Sequence, residues 1–149
     1  MTNPLLQFNE PLFWYIYNQR YYNMSAGIYN LSIEQGATYD IEVRYKDANN
    51  DPVDLTGFSG RMQIRPTTDS TTIYLTLSSS LQPDGTGLNF SGSDSVKPPS
   101  SGSISIFISA ATSSLLTFGQ AVYDLEIYSG SYAFRILQGG VRLSKEVTR

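Results

Sequence analysis

Residues 38–47, TYDIEVRYKD, alternate without a break: Tyr39, Ile41, Val43 and Tyr45 fall on one side, Asp40, Glu42, Arg44 and Lys46 on the other. A period of two over eight residues fits a strand with one buried and one solvated face, and no helical repeat accommodates it. VYDLEIY repeats the pattern near the C-terminus, with Tyr123, Leu125 and Ile127 inward and Asp124 and Glu126 outward. A chain that must bury two such faces needs sheets packed on each other.

Further strands are predicted over 29–34, 60–65, 72–77, 103–109 and 132–137, the last continuing over 140–144. Turn chemistry separates them. DANNDP (47–52) offers Asn49-Asn50, PDGTG (83–87) has the same character, and SGS (129–131) makes a short hairpin turn. Residues 110–116 predict one helical turn capped by Ser109 and closed at Phe118-Gly119. Residues 91–103, SGSDSVKPPSSGS, are almost free of apolar side chains and are expected to form a mobile loop, or one ordered only by a partner. Strands at this spacing predict an all-β, immunoglobulin-like antiparallel β-sandwich over residues 28–149.

Composition narrows the chemistry. Charged residues make up 15% of the chain, below the roughly 25% usual in globular proteins, and Ser, Thr, Gly and Tyr take their place. Histidine and cysteine are absent, which removes most routes to nucleophilic, acid–base and zinc chemistry. The carboxylate pairs Asp40/Glu42 and Asp124/Glu126 each share a strand face, and glycosidases use paired carboxylates flanking a sugar bond; the solvated face of a sheet looks the same and is favoured. No catalytic residue is assigned and the expectation is a non-enzyme. Asp47, Asn49, Asp51 and Asp54 resemble the start of a calcium loop, but Pro52 and Phe58 stand where Gly and Glu are needed. A plain hairpin turn is the favoured reading, with no metal and no cofactor. The net charge of −3 provides no field for nucleic acid. The cations near the end, Arg135, Arg142, Lys145 and Arg149, read as a solvated or salt-bridged edge. No window is apolar enough for a membrane span, and MTNPLLQFNE lacks the features of a signal peptide, so a product made in a cytoplasm is expected. The triplets at Asn23, Asn30 and Asn89 then read as chance matches to the glycosylation signal.

Residues 1–27 differ from the rest. Phe8, Phe13, Trp14, Tyr15, Tyr17, Tyr21 and Tyr22 are accompanied by two charges, Glu10 and Arg20. Over 12–17 both alternate sets are apolar, Leu12, Trp14 and Ile16 against Phe13, Tyr15 and Tyr17, and such a strand needs cover on both sides. Three readings follow: a strand that completes the protein's own core, a stacking platform for sugars, and an arm that docks onto another protein or onto copies of itself. The docking arm is favoured, because buried Trp and Tyr dominate interface energetics. Its candidate partner-binding residues are Leu5, Phe8, Leu12, Phe13, Trp14, Tyr15, Ile16, Tyr17, Tyr21 and Tyr22.

The run IEQGATYDIEVRYKDANNDPVDLTGFSGRMQIR (33–65) resembles small β-sandwich virion proteins of tailed bacteriophages. It carries a Gly36-Ala37-Thr38 step into a strand, a hairpin and corner from Asp47 to Gly57, and the strand Arg61-Met62-Gln63-Ile64-Arg65. ISAATSSLLTFGQAVYDLEIYSG is similar to the family's helical turn and following strand, and Glu146 to Arg149 to its terminus. Asn50 stands where the family usually has Gly, and the loop before Ser103 is an insertion. The D-L-T-G corner is more distantly similar to the N-terminal domain of phage upper baseplate proteins. The resemblance spans about 28–149 and implies a multi-copy virion structural protein of the tail or baseplate, touching other virion proteins or copies of itself. Capsid decoration and receptor or glycan binding are the alternatives.

Overall fold

A computed structural model describes residues 4–8, 13–15, 26–47 and 49–148, the first two stretches as backbone strands. It is an all-β sandwich of two sheets. The strands are β1 (Pro4–Phe8), β2 (Phe13–Tyr15), β3 (Gly27–Ile28), β4 (Leu31–Glu34), β5 (Tyr39–Asp47), β6 (Ser59–Arg65), β7 (Leu75–Ser78), β8 (Gly87–Asn89), β9 (Ser103–Ile108), β10 (Gln120–Ser129) and β11 (Tyr132–Ser144). A 3-10 turn, Pro99–Ser101, precedes β9, and helix α1 (Ala110–Ser114) follows it.

The first sheet runs β2-β1-β5-β9-β8 and the second β3-β11-β10-β6-β7, with β4 also paired to β11. The ladders are antiparallel except where β3 and β4 run parallel to β11. Strands β5, β9 and β8 facing β4, β11, β10, β6 and β7 give the order of an immunoglobulin-like sandwich. The predicted alternation builds the core. Val43 and Tyr45 from β5 and Ile104, Ile106 and Ile108 from β9 meet Met62 and Ile64 from β6 and Tyr123, Leu125 and Ile127 from β10, all buried. Each fully buried aliphatic side chain contributes roughly 1.5–3 kcal/mol.

The predicted turns close as their chemistry requires. Asp47 Oδ1 accepts the amides of Asn49 and Asp51, both at 2.9 Å, and Asn50 takes a φ of 67°. Ser109 caps α1, its hydroxyl accepting from the Thr112 amide at 3.0 Å. The helix ends at Ser114, with Leu115 rather than Phe118-Gly119 as its C-cap.

Three segments differ from expectation. The strand expected over 29–34 begins only at Leu31, and a separate two-residue strand, β3, precedes it. Between them Tyr29 and Asn30 bond β11 out of register, the Tyr29 amide donating to Gln138 O at 2.9 Å and Asn30 Oδ1 accepting the Gly140 amide at 2.9 Å. The strand expected over 72–77 starts at Leu75, where pairing with Ile64 begins. Residues 91–103, expected to be mobile or ordered by a partner, fold back onto the chain's own sheet. The Lys97 amide donates to Ser91 O at 3.0 Å, and the Leu55 amide to Pro99 O at 3.1 Å.

Candidate docking interface

β5 is the longest strand of the first sheet, and its two edges are used differently. The Tyr45 amide donates to Gly102 O at 2.8 Å, so alternation turns the amides of Arg44 and Lys46 toward the opposite edge. There β1 adds antiparallel in the register Pro4↔Asp47, Leu5↔Lys46, Leu6↔Tyr45, Gln7↔Arg44, Phe8↔Val43. β2 returns along β1 with Leu5↔Tyr15, Leu6↔Trp14 and Gln7↔Phe13, and is the outermost strand of this sheet among the described residues.

Of the candidate docking residues, Leu5 and Phe8 therefore lie in β1 and Phe13, Trp14 and Tyr15 in β2, with Leu5 and Tyr15 directly opposite each other. Leu12, Ile16, Tyr17, Tyr21 and Tyr22 lie outside the described residues. Sequence reasoning did not place β1 beside β5. PLLQF carries no alternation, and the pairing is a main-chain property that side chains announce poorly.

Beside this edge, the outer face of β5 carries a buried charge. Glu42 is only 4% exposed, although alternation assigns it to solvent. Lys97 Nζ reaches its two carboxylate oxygens at 2.6 and 2.9 Å, Arg44 Nε at 2.9 Å and the Ser103 hydroxyl at 3.1 Å. Burial alone would raise the Glu42 pKa; the bonds from Lys97, Arg44, Ser103 and the Ser93 amide outweigh it and hold the group at about 2. Asp40 accepts from the Ser105 hydroxyl at 2.7 Å and from Ser93 at 3.1 Å. This explains SISIFI in β9: the isoleucines face the core, and the serines sit buried beneath the 91–101 segment. The carboxylates of this face are consumed in holding the segment down.

The second pair is likewise engaged. Asp124 meets Arg135 at 3.2 Å and Glu126 meets Arg61 at 3.1 Å, along an open groove of about 250 Å³ that also includes Gln63 and Arg65. At the far end of the β10–β11 hairpin Tyr128 and Tyr132 are exposed, and Tyr132 stacks on Phe134 with ring centroids 6.4 Å apart. Among the described residues no helix is long and apolar enough to cross a membrane. No protein-family model matches the chain, and no curated protein matches it in sequence.

Proposed function

We propose that this protein is a non-enzymatic structural component of a tailed-bacteriophage virion, of the tail or baseplate, present in multiple copies and docking through its N-terminal arm. The observation that carries the reading is the β1–β2 hairpin, built from the aromatic-rich segment and added at the edge of β5. Within the chain the hairpin extends the protein's own sheet; the same pairing made between chains is a general way for assembly proteins to join, main-chain bonds giving affinity and alternate side chains selectivity. The resemblance of residues 28–149 to phage β-sandwich proteins gives the biological setting. The engagement of the Asp40/Glu42 and Asp124/Glu126 pairs in structural contacts fits a role without turnover.

Deleting residues 1–24 tests it. The expected product is a cooperatively folding domain that no longer co-sediments with virions or tails when it replaces the full chain. Incorporation at the normal level, or loss of folding, overturns the reading. A second reading, receptor or glycan binding, draws on the exposed Tyr128 and Tyr132 at the hairpin tip; glycan-array binding that survives the deletion would favour it.

A further inference from the structure

We infer that the β1–β2 hairpin is exchanged between copies: β1 of one chain pairs with β5 of a second copy, in the register seen within the single chain. The inference rests on the assembly reading above and names the partner of the arm.

Three observations carry it. The hairpin joins the body as a unit, since β2 pairs with β1 and β1 pairs with β5 over five consecutive positions. The acceptor edge is therefore already shaped for this sequence, and a second copy offers the same edge with the same bonds. The ladder energy is equal in the closed and exchanged forms, and only chain connectivity separates them.

The connection is also long. Tyr15 ends β2 in the first sheet and Gly27 opens β3 in the second, with eleven residues between them. Fully extended, eleven residues reach roughly 40 Å, enough to hand the hairpin to an adjacent body. A connection of this length holds its own arm at an effective concentration only in the mM range. Neighbouring copies fixed in an assembly compete at that level.

The third observation is the sequence of β2 and its flanks, where both alternate sets of residues 12–17 are apolar. A sandwich of two layers offers an edge strand one inward face. At the junction of two exchanged bodies, the second copy supplies cover for the other.

Cysteine cross-linking tests the exchange, and the chain has no cysteine of its own. Leu5 and Lys46 are register partners across the β1–β5 ladder, within reach of a disulfide. Full-length Leu5→Cys and Lys46→Cys variants, mixed and oxidised, are expected to give a covalent heterodimer that neither gives alone. The Leu5→Cys/Lys46→Cys double variant is expected to give covalent dimers and higher multiples. A double variant that closes wholly within single chains, together with unlinked mixed variants, overturns the exchange; so does a double variant that forms no link at all. Gln7→Cys with Arg44→Cys repeats the test at a second register pair if the first does not fold. The deletion of 1–24 reads the assembly role separately. Intrachain links with loss of assembly on deletion would sink the exchange and leave that role standing. Interchain links with assembly unaffected by the deletion would do the reverse.

Discussion

Lys97 Nζ lies 2.6 Å from Glu42 Oε2, joining a loop lysine to a strand carboxylate 55 residues earlier in the chain. The contact folds residues 91–101 over β5 and β9, so that a stretch of Ser, Gly and Pro with little apolar content holds a fixed place on the sheet. Glu42 is nearly inaccessible to water, and Lys97 is its closest cation among the described residues. Removing one partner of such a pair costs more than the pair itself contributes, because the other charge stays buried.

Lys97→Met is therefore expected to destabilise the fold by about 2 kcal/mol in urea denaturation, less than the roughly 3–5 kcal/mol of a fully enclosed pair because Arg44 remains and Lys97 is partly solvated. Adding Glu42→Gln to Lys97→Met should recover part of that loss, which a purely steric role for Lys97 would not allow.

Acid should weaken the protein through the same carboxylate. Its ordinary pKa of 4.5 falls to about 2 on folding. A depressed pKa gives stabilisation that is complete above 4.5 and is lost as pH drops from there through 2, about 3 kcal/mol in all. Urea midpoints measured from pH 7 to pH 2 should fall mainly below pH 4.5, and Glu42→Gln should flatten the fall. A residual slope is expected from Asp84 and Asp54. Bonds from the Ser109 hydroxyl to Asp84 and from the Thr56 hydroxyl to Asp54 hold both below the usual carboxylate range.

Ser109 has two tasks: it caps α1 through the Thr112 amide, and its hydroxyl donates to Asp84 Oδ2 at 2.5 Å. Ser109→Ala should cost about 1–2 kcal/mol. Ser109→Asp would keep a capping oxygen but set two carboxylates together, so it should rescue little at pH 7 and more at pH 3.

Gly139 sits against the backbone of Tyr29, where a Cβ would collide with the carbonyl. That carbonyl also accepts the Tyr123 hydroxyl at 2.6 Å. Gly139→Ala should push β3 off β11 and cost about 2 kcal/mol. Tyr123→Phe should cost about 1 kcal/mol. Hydrogen exchange at the Tyr29 amide, which is bonded to Gln138 O, should quicken in both.

Side-chain period made β5 and β10 legible, and local chemistry made the Asp47 turn and the Ser109 cap legible, because each of these is decided within a few residues. The break between β3 and β4 was not, since it depends on Gly139 and Gly140 far along the chain. β8 is three residues long and begins at a glycine with a φ of 150°, too short to show a period. The burial of Glu42 was hidden for the opposite reason: its alternation is intact, and its cover comes from a segment whose composition suggests no structure. Of the candidate interface, the unusual character of the arm was readable. The β5 edge beside it was not, because an edge is defined by which main-chain groups lack partners and side chains do not record that.

The parallel ladder of β4 on β11 joins residues 110 positions apart, as Leu31 and Val141 do. During synthesis at roughly 5–20 residues per second, residues 31–34 wait on the order of 5–20 s before their partner strand exists. Over that interval the nascent chain presents an unpaired strand with one apolar face, Leu31 and Ile33, beside a partly built sheet, the situation that invites pairing with another nascent chain. The order of manufacture thus makes this closure a late step, and a ribosome stalled shortly before Val141 would leave a chain that sticks to its neighbours.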